Sequence, residues 1–453
     1  MRAKRHRHAP REKKAKRPPT PATPPTQEYH ALAELSKGER CPECLIGTLN
    51  KYEPAVLLRI SGHSPYEATR HIMERLRCNA CGIYFTAALP EAVQQDGQPN
   101  QMYAYSARSL MAISKYYMGQ PFYRQESLQH LLGLNITAST LFDQCEYVAN
   151  AIKPIYDVIL RLAADAPYFE IDDTPYKILS ETEIQKPNRK TGKLQRRTGS
   201  NASGLIASLA TGQVLILIQT NIGHAGEWID EILSQRTVGL PAPTVMSDAL
   251  SSNKTSVIPV IESLCNVHAR RQFADITDHF PETVPWVLND YKVIWENEAH
   301  CQDNTLSPPD RQRYHKTHSL PVMEIMKNRF ETHLADEDVE ENSGLGKAMS
   351  YFLRHYLGLT QFCHTEGARL DNNRMEAELK IPIRNRKNAY FYKTLAGAQV
   401  SDVLTSMIST CVQAGVNPFD YLTWVQQHPE RVKTSPLTCL PWNYKGVSEK
   451  IAA

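Results

Sequence analysis

Three acidic residues stand in separate local signatures: Asp172 in FEIDDTPYKIL, Asp248 in TVMSDALSSN and Glu376 in LDNNRMEAELKIPIRNRKN. The first two end short apolar runs of strand character, and the third lies in a stretch with helical period. Carboxylates delivered by separate elements suit two-metal phosphoryl transfer, in which acidic oxygens hold two divalent ions about 3.5–4 Å apart. Mg²⁺ (or Mn²⁺) fits such a site, because it takes oxygen ligands and keeps part of its water shell. In that scheme Asp172 bridges both ions, Asp248 holds one and Glu376 the other. Asp173 adjoins Asp172, but strand alternation turns it to the opposite face, which makes it the weaker candidate. Taken singly, the three acids also fit a turn, a helix cap and a solvated face, so their surroundings must decide.

Those surroundings read as a mixed sheet. PYFEIDDTPYKIL is a predicted strand, followed by a charged excursion (Lys186, Arg189, Lys190, Lys193, Arg196, Arg197) that looks like an exposed β-hairpin loop. SGLIASLATGQVLILIQT gives two strands about Thr211-Gly212. Then come a helical GHAGEWIDEILSQ, the strand PTVMSD, a helix expected over about 254–264 and the strand-like CNVHA. Three antiparallel strands, helix, strand, helix, strand is the order of a ribonuclease H-like core. In that core one acid sits on the first strand and another ends the fourth, where Asp172 and Asp248 fall. From about 270 to 370 the pattern is helical, broken by LSPPD and DEDVEEN, and reads as an insertion. A last helical tract is expected from about Thr394 to Ala414, with NPFDYLTWVQ closing the ordered body and a loose tail after it.

Upstream of the sheet, Cys41-x-x-Cys44 and Cys78-x-x-Cys81 form two knuckles about 33 residues apart. Tight CxxC turns present two thiolates on one side, and two turns complete a tetrahedral Zn²⁺ site. The spacing exceeds that of common zinc ribbons, and four unrelated thiols are the plainer alternative. Residues 104–164 read as helical, with Ser106 a candidate N-cap. QESLQHLLGLNITASTLFDQC has a helix-turn-helix outline: a helix ending at Gly133, then Thr137 capping a second helix that carries Ser139, Thr140 and Gln144. A helical hairpin that only packs is the alternative.

Length and composition bound the rest. A chain of 453 residues with 42% hydrophobic and 22% charged residues suits a soluble, multidomain protein. No run reaches the roughly 18 apolar residues of a membrane helix, and the basic N-terminus lacks a secretory apolar segment, so a cytoplasmic protein is expected. Residues 1–26 carry nine Lys/Arg against Glu12, about +8, which leaves about −5 for the remainder of a +3 chain. That Pro-rich arm cannot bury a core; it suits phosphate contact or a solvated linker.

The combined blocks resemble the transposases of insertion-sequence family 66, the TnpC type of bacterial DDE transposase, over nearly the whole chain after the arm. The matching segments are CPEC and RLRCNACG, SKYYMGQPFYRQESLQHLLGLNITASTLFD, and the Asp172-Asp173-Thr174-Pro175 block. They continue with Cys265-x-x-His268-Ala269-Arg270-Arg271, then Asp371-Asn372-Asn373-x-x-Glu376 followed by Arg386-Lys387-Asn388. The resemblance implies Asp172, Asp248 and Glu376 as the metal-binding triad. Departures are Asp173 where the family has Glu, Ala249-Leu250 in place of Gly-Tyr, and Ala377 and Lys380 in place of Arg. Arg270, Arg271, Arg386 and Lys387 are expected phosphate contacts, and His268 an orienting group rather than a ligand.

The expected architecture is α+β and multidomain: a ribonuclease H-like mixed-sheet catalytic core with a helical insertion, preceded by a zinc-binding region and a helical, helix-turn-helix-like domain. Boundaries are expected at 1–28 (basic arm), 29–100 (zinc), 101–165 (helical, DNA-binding) and 166–275 (first part of the core). The insertion follows at 276–365, then the last part of the core at 366–400 and a helical tail at 401–453. The resemblance implies an enzyme that binds the terminal inverted repeats of its element as double-stranded DNA. It would cut their 3′ ends and join them to target DNA, acting as a homo-oligomer, with or without accessory proteins of the same element. Two rivals remain: a catalytically silent DNA-binding derivative that represses transposition, and a stand-alone metal-dependent nuclease.

Overall fold

A computed structural model describes residues 36–50, 64–81, 83–98, 101–180, 184–187, 192–197 and 199–444. The basic arm, and Arg189 and Lys190 of the charged excursion, lie outside the described residues. Two short antiparallel strands, β1 (Arg75–Arg77) and β2 (Tyr84–Thr86), flank the second CxxC turn. Helices α1 (Glu91–Gln95), α2 (Tyr105–Ala112), α3 (Phe122–Leu131) and α4 (Ala138–Ala164) follow, with a π-helical turn, Ile113–Tyr117, continuing α2.

Sequence chemistry sets these ends. Gly133 takes φ +85° just past α3, a conformation that costs a residue without Cβ little. The Thr137 side chain accepts from the Thr140 amide and caps α4. Ser106 is not a cap: α2 starts one residue earlier, and the Ser106 amide donates to Asp96 Oδ1 at 2.9 Å. α4 runs 27 residues through Pro154, burying Leu141, Val148, Ile152, Ile155 and Ile159 at helical spacing. Gln144 of that helix is buried and accepts from Arg108 Nε at 2.7 Å. α4 is packed into the main core, whereas α3 leaves Tyr123, Leu128 and Leu131 exposed.

Strand β3 (Tyr168–Tyr176) opens the sheet region, and the hairpin β4 (Ile184–Pro187) with β5 (Leu194–Arg197) projects before β6 (Ser200–Ser208) and β7 (Val214–Asn221). After α5 (Ala225–Leu233) come β8 (Thr244–Ser247) and β9 (Ile261–Leu264). The sheet order is β7-β6-β3-β8-β9, with β3, β6 and β7 antiparallel and β8 and β9 parallel to β3. The α+β reading and the mixed sheet hold. The helix expected over about 254–264 does not form: Ser251–Asn253 makes one 3₁₀ turn, and Ile261–Leu264 is itself the fifth strand. The CNVHA segment is not a strand either, because Asn266 begins α6 (Asn266–Ala274). A short apolar run flanked by Pro259 suits an edge strand equally well, and period alone does not separate the two.

Helices α7 (Val284–Asp303), α8 (Pro308–His318), α9 (Leu320–Ala335), α10 (Gly344–Leu359) and α11 (Gln361–His364) follow α6. They gather a core of their own around Tyr291, Met326, Phe330 and Phe352, joined to the sheet through Leu264. Then α12 (Asn373–Ala389) crosses the sheet, so close that a Cβ on Gly204 would sit 2.3 Å from Met375 Cε.

α13 (Leu395–Gln413), capped by Thr394, covers the exposed edge of β7. Asp402, Ser406 and Thr410, spaced one turn apart, accept the outward amides of Thr220, Ile218 and Ile216 at 2.8, 2.8 and 3.1 Å. An open edge is a template for aggregation, and this polar ladder closes it. Beyond NPFDYLTWVQ the described residues, up to Tyr444, stay packed, and 445–453, also expected to be loose, lie outside the described residues. α14 (Pro418–Gln427), α15 (Pro429–Thr434) and a 3₁₀ turn, Pro436–Cys439, return Cys439, Leu440 and Tyr444 to the main core.

Candidate active site

Strand alternation divides β3 into two faces. Phe169 and Ile171 enter the main core, and Asp173 points with them: its Oδ2 accepts from His224 Nδ1 at 2.9 Å and from the Ala225 amide at 3.3 Å. Asp173 thus binds the start of α5, as a carboxylate at a helix N-terminus should. Glu170 and Asp172 face the other way, toward α12.

Asp172 is raised to about 7, mainly by burial and further by the charges of Asp248, Glu376 and Asp173, against the Asp173 amide that lowers it. Asp248 follows β8. Its Oδ1 accepts from the Leu250 amide at 3.2 Å and from buried Asn253 Nδ2 at 2.7 Å. Gly226 of α5 lets that turn approach, since a Cβ there would stand 2.3 Å from Ser252 O. Glu376 lies in the first turn of α12, and His268, in the first turn of α6, brings Nε2 to 3.8 Å from Glu376 Oε1. Carboxylates from the end of β8 and from α12 thus both act electrostatically on Asp172 of β3. Among the described residues, no three Asp, Glu, His or Cys side chains are drawn together closely enough to form a finished metal cage. The donor set is nonetheless that of a hard divalent ion: carboxylate oxygens only, mutually repelling and partly desolvated.

Residues that sequence reasoning passed over hold this arrangement. Buried Asn372 donates from Nδ2 to Ile171 O at 2.9 Å, just where β8 stops pairing with β3. Its amide donates to Cys265 Sγ at 3.3 Å. Burial pushes the Cys265 thiol up to about 12, so it serves here as a neutral acceptor. Asn266 Nδ2 donates to Leu359 O and Leu370 O, tying the end of α10 to the loop before α12. Fully buried Glu170 is ion-paired with Arg374 Nη1 at 3.3 Å and Arg369 Nε at 3.4 Å, though neither carboxylate oxygen makes a hydrogen bond. The sequence did carry one signal for it: Glu170 lies two residues before Asp172, on the same face.

The expected cationic contacts divide. Arg270, Arg271 and Lys387 are exposed. Arg386 instead donates to Thr174 Oγ1 at 3.1 Å and to Pro175 O, fastening α12 to the exit of β3. Tyr351 of α10 lies near Asp248, its hydroxyl raised to about 12 by burial and then by that charge.

The two CxxC turns have the local form of thiolate knuckles. The Cys41 amide donates to Gly47 O at 2.8 Å, and backbone amides of Gly47 and Ile46, with the Cys41 side chain, lower Cys44. In the second turn the Cys78 amide donates to Ile83 O at 2.9 Å. The described residues do not bring the four sulfurs into one cluster.

No helix among the described residues is long and apolar enough to cross a membrane. The sequence profile of the Transposase IS66 family matches residues 100–400. Two similar proteins of Sinorhizobium fredii (strain NBRC 101917 / NGR234) bear only the names uncharacterized protein y4jD and y4hP. The first is 26% identical over 390 residues, 83% of this chain and 72% of its own. The second is 22% identical over 409 residues, 84% of this chain and 69% of its own. With the profile spanning the whole sheet, helices α6 to α11 and all of α12, the chain belongs to the transposase IS66 family.

Proposed function

We propose that the chain cuts the ends of a DNA element in a metal-dependent reaction and joins the freed 3′ ends to target DNA. In this reading the sheet is a ribonuclease H-like core, and Asp172, Asp248 and Glu376 hold the metal. The carrying observation is that the charges of Asp248 and Glu376, distant in sequence and on other elements, both bear on buried Asp172. Mg²⁺ or Mn²⁺ bound there would supply Lewis-acid activation of the attacking oxygen and charge neutralisation at the leaving oxygen. The protein supplies placement. Asn253 and the Leu250 amide fix Asp248, His268 faces Glu376, and Asn372 holds the start of α12 against β3. Exposed Arg270, Arg271 and Lys387 are suited to DNA phosphates. Cys41, Cys44, Cys78 and Cys81 would hold one Zn²⁺ in the DNA-binding part, and metal analysis of the purified chain tests this: absence of zinc contradicts it. The partners are the element's terminal repeats and target DNA as duplexes, with a second copy of the chain to pair the two ends.

A test uses labelled duplex carrying the element's end, Mg²⁺ and an unlabelled target duplex. Cleavage at the end followed by joined product supports transposition. Cleavage without end preference or joining favours the stand-alone nuclease. Specific binding with no cleavage favours the silent, repressing derivative.

A further inference from the structure

α12 ends in an unusual turn. Tyr390 has φ +65° and ψ −42°, and the Phe391 amide donates across it to Ala389 O at 2.8 Å. This is a γ-turn of the rare, strained hand, centred on an aromatic residue where glycine would be relaxed. The strain is not repaid by burial: Tyr390 is 73% and Phe391 42% exposed. Backbone strain that is preserved without a packing reason points to function.

The base of the turn is rigid. Tyr392, the next residue, is buried and stacks on Tyr176 at 4.6 Å. Its hydroxyl accepts from Asn385 Nδ2 at 2.8 Å and meets Ser401 Oγ at 2.5 Å. Asn385 in turn accepts from buried Lys115 Nζ at 2.7 Å, and Asn388 donates to Gly119 O at 2.8 Å. The Leu179 and Tyr392 amides donate to Tyr392 O and Lys177 O at 2.9 Å, binding the turn to the chain leaving β3. Lys177, Lys387 and Lys393 are exposed, and neither 174–180 nor 384–394 contains an acidic residue. Two rings are thus held out to solvent on a fixed base, with three exposed lysines nearby in the chain, about 21 Å along α12 from Glu376.

We propose that Tyr390 and Phe391 form a stacking platform for an unpaired DNA base, with Lys177, Lys387 and Lys393 drawing in the adjoining backbone. Flat aromatic rings beside cations are how proteins hold unstacked bases regardless of sequence. The inference rests on the proposed function for its ligand, nucleic acid, but needs neither cleavage nor bound metal. The test therefore uses the full chain in EDTA, with a short single-stranded oligonucleotide carrying 2-aminopurine. Wild type should quench its fluorescence on binding. Tyr390→Ala should restore the fluorescence and weaken binding roughly 5- to 150-fold, while Tyr390→Phe keeps the quench and the affinity of wild type. Tyr390→Gly separates this from a structural role: it should raise the melting temperature by relieving φ while losing the quench. Absence of quenching by wild type, or quenching by the Ala and Gly variants as strong as that of wild type, overturns the platform. Quenching in EDTA from a chain that never cleaves in Mg²⁺ contradicts the proposed reaction instead and leaves the platform standing.

Discussion

The backbone amide of Asn372 points at the sulfur of Cys265 from 3.3 Å, joining the start of α6 to the loop that launches α12. His268 and Glu376 follow these two residues by three and four positions, so the bond sets the spacing of their side chains. Asn372 also donates to the Ile171 carbonyl. Asn372→Ala removes that buried hydrogen bond, at a cost of about 1–3 kcal/mol. Denaturant unfolding should register this loss. Cleavage per folded molecule should fall as well, since Glu376 loses its fixed origin; unchanged cleavage at equal folded fraction would show that the loop is not positioning it.

Glu170 lies between Arg369 and Arg374 with its carboxylate fully buried. Removing one partner of a buried charge cluster costs about 3–5 kcal/mol, because the remaining charges are left uncompensated. Glu170→Ala is therefore expected to destabilise by that order. Apolar replacement of Glu170, Arg369 and Arg374 together should recover much of the loss. Urea midpoints for the single and triple variants check both statements.

Asp402 is buried on α13 and raised to about 7, first by burial, with hydrogen bonds from Thr220 opposing the rise. A carboxyl whose folded value exceeds its unfolded value of about 3.9 binds its proton more tightly when folded. Its contribution to stability is complete below about pH 4 and is lost as pH rises through about 7. Asp402→Asn keeps an acceptor for the Thr220 amide and cannot ionise. The variant should be more stable than wild type near pH 8, by at most about 4 kcal/mol, with the difference shrinking toward pH 4. A pH-independent difference would contradict the ionisation account.

Arg386 and Lys387 adjoin in sequence but face different surroundings. Arg386→Ala should lower stability by freeing the Thr174 and Pro175 acceptors, by about 1–3 kcal/mol. Lys387→Ala should leave stability within about 0.5 kcal/mol and reduce the salt slope of DNA binding by about 1. Salt titrations of binding alongside thermal melts distinguish the two.

These pairs show what sequence made legible. Period and turn residues announced β3, β6, β7, the break at Gly133, the Thr137 cap and the helical tract from about Thr394, because each is a local preference. Asp172, Asp248 and Glu376 stood out through the local signatures around them. The roles of Asn372 and the Asp402-Ser406-Thr410 ladder were not legible, since each depends on a partner about 107 to 194 residues away. The Ile261–Leu264 strand was mistaken for helix because four residues cannot declare a period. The Tyr390 turn had no sequence signal at all, there being no glycine to mark a positive φ.

The most direct measurement of the central claim is Mn²⁺- and Mg²⁺-dependent cleavage of labelled element-end DNA by wild type and Glu376→Ala, with DNA binding followed in parallel. The account predicts cleavage at the end by wild type and loss of at least about a hundredfold in the variant, equivalent to about 2.7 kcal/mol of transition-state stabilisation, with binding retained. Cleavage unchanged by Glu376→Ala would contradict it.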